Sequence, residues 1–354
     1  MTQYKKELFI DLSWVNPKHS GGGHYASKNI IDCILKNKKL YEKFDTTIIA
    51  RKNYFKENNF PNKINKIAIT NLYFFNFFIR FFILFFLNNN KSYQIYFCPN
   101  IYTPILKRNF KIVNVIYDNQ WKYYPEYFSL IKRLWINLNI FFIKKNTNKV
   151  ICESYFIKKE FPLFKKKSEV IYIPFNIKQK IIKKSKNKNK FFFILSSMLP
   201  HKNIKMIEDL FLNDSIKTNV KNLIIAGIGG EKKVFKKNNK KIIYLGKISE
   251  KKKKILFRNC EAYLFPSKYE GFGMTIVEAL IQKKKIICSN LSVFKESGGK
   301  FPYFIKNKSS KKNWALGISR INRKKISHKK INTFLKRFDS HNISNQYLSL
   351  FEKL

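Results

Sequence analysis

The sequence predicts an α/β protein with two doubly wound parallel sheets in tandem. Three observations carry this. Short apolar runs, of the kind buried on both faces of a sheet, alternate with longer helix-period patterns. The alternation stops at the polar, lysine-rich stretch "NIKQKIIKKSKNKNK" (176–190) and then begins again. The chain has 354 residues and 45% hydrophobic content, enough for two cores at roughly 100–200 residues per domain.

The elements follow in order. "ELFIDLS" reads as the first strand, "WVNPKHSGGG" as its loop, and 24–36 as a helix. "DTTIIAR", "NKIAIT", "QIYFCPN" and "IVNVIYD" read as strands, 125–145 as a long helix, "KVICES" and "SEVIYIP" as the closing strands. After the linker, "KFFFILSS", "NLIIAG", "KIIYLG", "AYLFPS" and "KIICS" are strands, with helices opening at "HKNIKMIEDLF", Lys251 and Met274. The closing "INTFLKRFDSHNISNQYLSLFEKL" reads as one or two amphipathic helices. The expected domains are 1–175 and 176–330, with 331–354 packing back on the first. In doubly wound sheets ligands bind at the carboxyl ends of strands, so tandem domains would place a site in the cleft between them.

The net charge of +49 points to an anionic partner, or to the Lys-, Asn-, Ile- and Phe-rich bias of an AT-rich genome. No nucleic-acid module accompanies the lysines, which spread along the whole chain. Five cysteines, widely spaced and without a CxxC pair, argue against a disulfide framework and a zinc site. The amino terminus has too short an apolar core for a signal peptide. "NLYFFNFFIRFFILFFL" (71–87) is too short and too interrupted to span a bilayer. It reads either as a buried helix or as an interfacial one.

In this basic chain, "FPSKYEGFGMTIVEAL" (265–280) places two carboxylates, Glu270 and Glu278, around Gly271 and Gly273. Glu270 falls in a strand-to-helix turn. The helix from Met274 offers N–H groups and a positive dipole end for a phosphate. Glu278 falls one turn further on, where a carboxylate can accept from vicinal hydroxyls. By themselves these residues fit a sugar nucleotide, and equally a loop acid plus a solvated helix acid.

The segment resembles the signature of the retaining GT-B glycosyltransferases of family 4, often called group 1. Pro266, Ser267, Glu270, Gly271, Phe272, Gly273, Glu278 and Ala279 match its Pro-Ser-x-x-Glu-Gly-Phe-Gly pattern and second Glu-Ala. "SSMLPHKN" is similar to the family's phosphate-binding loop, with Ser197 where some members carry a basic residue and His201 where Arg is common. "NLIIAGIGG", "IIYLGKIS" and "LSVFKESGG" follow in family order. The amino-terminal half fits more loosely: "HSGGGHYASKNI" resembles the first glycine-rich loop. "VNVIYDNQWKYYPEYFS" carries Asp118 as in the family, but Tyr117 in place of its His.

The resemblance implies a GT-B fold of two Rossmann-like domains facing a cleft, an amino-terminal acceptor domain and a carboxy-terminal donor domain. It implies retaining, metal-independent transfer of a hexose from a nucleotide donor. Lys202 would meet the donor diphosphate and Glu270 the donor sugar, with Asp118 beside the reactive centre. Glu278 would hold the ribose. Ser197, Asn203, Gly227, Gly229, Lys247, Ile248, Gly271, Phe272, Gly273, Met274 and Thr275 would line the donor site. Gly21, Gly22 and Gly23 would lie near the phosphates or the acceptor. No cofactor or metal is expected. The "PHKN" form favours GDP-mannose over a dTDP- or UDP-sugar. A lipid-linked or lipopolysaccharide-type acceptor would suit a cytoplasmic enzyme held on an anionic membrane face by its charge and the 71–87 segment. A phosphorylase- or synthase-like enzyme, or a degenerate non-catalytic membrane partner, is the other reading.

Overall fold

The computed structural model describes residues 5–15, 21–71, 82–84, 87, 94–106, 109–179, 190–213, 215–220, 222–227, 229, 233–237, 240–321 and 327–354. The chain divides into two compact units. Met1–Phe175 with Phe338–Leu354 form the first, and Asn176–Arg337 the second.

The first unit runs β1 (Lys6–Asp11), α1 (Gly22–Leu35), α2 (Lys38–Lys43), β2 (Phe44–Arg51), α3 (Lys52–Glu57), β3 (Asn65–Ile69), β4 (Gln94–Cys98) and β5 (Phe110–Ile116). It continues with α4 (Gln120–Tyr123), α5 (Leu130–Asn146), β6 (Lys149–Cys152), α6 (Tyr155–Glu160) and β7 (Ser168–Val170). Its seven parallel strands lie in the order β3-β2-β1-β4-β5-β6-β7. One sheet face buries Ile10, Ile48, Phe97 and Val113 under Ile30 and Ile34 of α1. Each such side chain contributes about 1.5–3 kcal/mol by leaving water. The last helix of the chain, numbered below, adds Tyr347 and Phe351, whose rings pack on Phe97. That face is therefore closed by residues 250 or more positions beyond Phe97 in sequence.

The second unit runs β8 (Phe191–Leu195), α7 (Ile204–Leu212), β9 (Asn222–Ala226), β10 (Lys233–Lys237), β11 (Lys240–Tyr244), α8 (Glu250–Asn259) and β12 (Ala262–Phe265). It continues with α9 (Met274–Ile281), β13 (Lys285–Ser289), α10 (Ser292–Gly298), β14 (Tyr303–Ile305), α11 (Lys311–Arg320) and α12 (His328–Leu335). Helix α13 (Ser340–Glu352) returns to the first unit. The strand order is β10-β11-β9-β8-β12-β13-β14. Phe192, Ile194, Leu223, Ile225 and Leu264 pack under Ile207 and Leu210 of α7 and Trp314 of α11.

Both sheets are Rossmann-like, as the sequence predicts, with differences in detail. Strands β10 and β14 were not anticipated; β14 continues the parallel order beside β13, whereas β10 runs antiparallel to β11. Only two residues separate the strands, too few for the crossover a parallel neighbour requires. The long helix begins at Leu130, not at 125, because Pro125–Tyr127 form a 3₁₀ turn and Ser129 caps the helix, its Oγ accepting from Lys132 N at 3.3 Å.

Most of the 71–87 segment lies outside the described residues, as does most of the 176–190 linker. Within the first, Ile83, Leu84 and Leu87 are buried against β1, β4 and β5, with Phe9, Tyr96 and Phe110. Those residues serve the core. Among the described residues no helix is long and apolar enough to cross a membrane.

Candidate active site

In the second sheet β8 lies between β9 and β12, so chain crossovers leave its carboxyl edge in opposite directions. The loops after β8 and β12 part there and form the crevice that such sheets use for ligands. The backbone ties the two loops together, Lys268 N donating to His201 O at 2.8 Å. Within this frame Lys202 Nζ lies 2.6 Å from Glu270 Oε1, and each side chain is 15% exposed. The cation and carboxylate expected to meet different parts of one ligand thus neutralise each other.

His201, beside Lys202, is buried. Burial, reinforced by the Lys202 charge, pushes its imidazole down to about 3. It stays neutral through the physiological range, so the loop carries one positive charge where an Arg at this position would bring a second.

Gly273 caps α9 with φ +90°. A Cβ there would come within 3.0 Å of the Phe294 ring and 3.2 Å of Ser297 Oγ, so the position needs glycine for both conformation and space. In the first turn of α9, Ile276 N donates to Gly273 O at 2.9 Å, and the N–H groups of Met274 and Thr275 precede any helical carbonyl. Thr275 Oγ1 pairs with the Tyr263 hydroxyl at 2.7 Å, which fixes the start of α9 to β12. One turn on, Glu278 Oε1 lies 2.5 Å from Lys253 Nζ of α8, and Lys253 lies 2.9 Å from Glu250 Oε1. Burial raises the Glu278 carboxyl above its usual range and Lys253 opposes this. Burial works to lower the Lys253 ammonium, but the two glutamates outweigh it and leave the group raised.

Residues 176–337, the whole of this unit, match the family described as "Glycosyl transferases group 1". The second unit is a group 1 glycosyl transferase domain. The chain is accordingly a transferase enzyme. It is 24% identical over 358 residues to the O-antigen chain mannosyltransferase RfbU of Salmonella typhimurium, covering 95% of this chain and 97% of that protein. Its fold is similar to that of Anabaena HepE, solved with UDP and glucose. That likeness has a TM-score of 0.67 at 16% identity and covers 99% of this chain and 100% of the other. The sucrose-phosphate synthase of Thermosynechococcus elongatus is likewise similar, with a TM-score of 0.72 at 12% identity over 99% of each chain.

The glycosyl transferase domain places the other expected donor residues unevenly. Gly227, φ +148°, lies so close to the end of β8 that a Cβ would sit 1.6 Å from Ser196 O. The neighbouring strand itself thus demands this glycine. Gly229, φ +82°, has room, the nearest atom being Met198 Cβ at 3.7 Å. Ser197, Met274 and Thr275 are half-buried, Lys247 is exposed and Ile248 half-buried, while Gly271 and Phe272 are buried. Asn203 adopts φ +56° at the start of α7, and its Nδ2 donates to Lys308 O at 3.4 Å.

The remaining expected residues belong to the first unit. Gly21 precedes α1, and Gly22 and Gly23 begin it. Asp118 Oδ1 accepts from Gln120 N at 3.0 Å. Tyr117, at the carboxyl end of β5, donates to Pro99 O at 2.9 Å and pairs with Ser27 Oγ at 2.7 Å. Its ring lies 3.5 Å from where a Cβ on Gly23 would be. Burial holds the phenol well above its ordinary range. Where the resembling family carries an imidazole, this chain has a neutral clamp between β4 and α1.

Lys253 is the site residue that sequence reasoning missed. A signal for it existed in the helix period. Leu256 and Phe257 mark the inner face of α8, and position 253 lies one turn before them on that face.

Proposed function

We propose that the protein transfers mannose from GDP-mannose to a hydroxyl of a lipid-linked or lipopolysaccharide-type saccharide, with retained anomeric configuration and without a metal. The observation that carries this reading is the pairing of Lys202 and Glu270 between the loops that follow β8 and β12, with the α9 amino terminus and Glu278 directly downstream of Glu270. The full-length similarity to an O-antigen mannosyltransferase supports the sugar and the acceptor class.

The chemistry follows from the charges. Departure of a nucleoside diphosphate concentrates negative charge on phosphate oxygens. Lys202 and the N–H groups at the start of α9 stabilise that charge in place. When the diphosphate engages Lys202, the 2.6 Å pair opens and frees Glu270 to accept from donor-sugar hydroxyls and steady positive charge at the anomeric carbon. Glu278 accepts from the ribose diol. Incubating the purified protein with GDP-mannose, UDP-glucose or dTDP-rhamnose and following nucleotide release tests this. Release of GDP from GDP-mannose alone is expected. Release from none of the three, or from UDP-glucose only, contradicts the donor assignment.

A surface on the first unit supports the membrane part of the reading. Leu130, Leu134, Leu138 and Phe141 recur at helical spacing on α5, and with Ile131, 81% exposed, they form an apolar stripe open to solvent. Arg133, Lys144 and Lys145 lie on the same helix. Apolar side chains beside basic ones suit an anionic bilayer surface, whereas self-association would bring together two chains of charge +49. In flotation with phosphatidylglycerol vesicles, Leu134→Glu with Phe141→Glu should lose at least about tenfold in partitioning, at a salt concentration that preserves wild-type binding. Equal flotation of variant and wild type removes α5 from the interface.

A further inference from the structure

We propose that Lys253 is a positioning residue of the donor site: it holds the Glu278 carboxylate where that group meets the ribose hydroxyls of the nucleotide. The inference rests on the reading of Glu278 given above and goes beyond it.

Four lysines in a row, 251–254, follow Glu250 in the first turns of α8. Lys251 and Lys252 are exposed, while the Lys253 side chain is only 14% exposed. Its ammonium lies 2.9 Å from Glu250 Oε1 on its own helix and 2.5 Å from Glu278 Oε1 on α9. A lysine this far from water keeps its charge only against carboxylates. Glu250, 60% exposed, can rotate into solvent; Glu278, 23% exposed, cannot do so as freely. The pair is therefore asymmetric. Lys253 fixes one oxygen of Glu278 and thereby sets the direction of the other.

The surrounding charges make Lys253 the main group holding Glu278 ionised. From α8, Lys253 and, more weakly, Lys254 favour the carboxylate, while Glu250 opposes it. From β12, Tyr263 faces it as a neutral phenol, held well above its ordinary range by burial. In the preceding loop Glu270 is paired with Lys202. Helices α10 and α12 and strand β13 also pack on α9, bringing Lys295 and Glu296, His328, Lys329 and Lys330, and Lys285 and Cys288, while the groups that weigh most on Glu278 lie on α8. Without Lys253, burial acts on Glu278 with little opposition, and the carboxyl takes up a proton at higher pH. A protonated Glu278 loses one acceptor for the diol. Neutral variants should therefore bind nucleotide in a pH-dependent way that a mere brace between helices would not produce.

The experiment is calorimetric titration of wild type, Lys253→Met, Lys253→Gln, Lys253→Arg and the Lys253→Met/Glu278→Gln double variant with GDP and GDP-mannose from pH 5.5 to 8.5. The neutral variants should bind more weakly than wild type at the acid end of the range and approach it at pH 8.5, with a ratio that grows as pH falls and reaches at most about tenfold for a carboxyl midpoint raised by about one pH unit. Arginine should restore the wild-type profile, and the double variant should be flat with pH. Parallel profiles for wild type and both neutral variants overturn the inference and leave the donor site intact. If wild type binds neither ligand, the donor reading fails instead. The positioning claim is then decided by ¹³C-glutamate NMR without ligand. A Glu278 midpoint raised by at least about one pH unit in Lys253→Met, and not in Lys253→Arg, supports it. An unmoved midpoint overturns it.

Discussion

Lys202→Ala should lower kcat for sugar transfer by about 10²–10³-fold, the loss typical when one fixed donor to a developing negative charge is removed. Two effects are superposed in that number. Lys202 is withdrawn from the leaving diphosphate, and Glu270, which pairs with Lys202, is left with an unneutralised charge at 15% exposure. The double variant Lys202→Ala/Glu270→Gln separates them. With both charges removed the melting temperature should recover. If Lys202 acts on the diphosphate, kcat of the double variant falls well below that of Glu270→Gln alone; if Lys202 served only to neutralise Glu270, the double variant and Glu270→Gln have equal kcat. Neighbouring His201, held neutral by burial, supplies no second charge to compensate. Initial rates of nucleotide release, measured beside thermal melts, decide between the two.

Gly227→Ala should prevent the second unit from folding. A methyl group 1.6 Å from Ser196 O and 2.5 Å from Ser196 C overlaps backbone atoms of an adjoining strand that cannot move aside. Ser196 N donates to Ala226 O at 2.9 Å, and Gly227 N to Gly246 O at 2.9 Å, so both sides of the contact are pinned. A loss above about 4 kcal/mol is expected, beyond the range of ordinary substitutions. Gly229→Ala is the control. It shares the positive φ but meets nothing closer than 3.7 Å, so backbone strain of about 1–3 kcal/mol is the whole effect. Urea unfolding of both variants tests this, and similar midpoints for the two would contradict the steric argument.

The sheets were legible because parallel strands are buried on both faces and their apolar runs stand out even in a lysine-rich chain. Strand β10 was hidden, since "KVFKK" at an exposed edge carries too few apolar residues to register. By themselves two acids eight positions apart fit a solvated loop and helix equally; the loop after β12 and the start of α9 were legible in "PSKYEGFGMTIVEAL" through its resemblance to a family signature. Lys253 was not, because four identical residues conceal which one faces inward until the helix is placed against α9. Most of the oiliest segment, 71–87, lies outside the described residues; within it Ile83, Leu84 and Leu87 enter the core while Phe82 is 45% exposed, and a further open apolar stripe lies on α5. Hydropathy counts apolar residues without saying which of them a neighbouring sheet will cover.

The central claim is that Lys202, Glu270, the α9 amino terminus and Glu278 hold a nucleotide sugar. Calorimetric titration of wild type and Glu278→Ala with GDP-mannose tests it most directly. Saturable one-to-one binding by wild type, weakened at least about tenfold in Glu278→Ala, is the predicted result, as expected for a lost charged hydrogen-bond acceptor. Equal affinity of the two proteins, or no heat of binding from wild type, contradicts it.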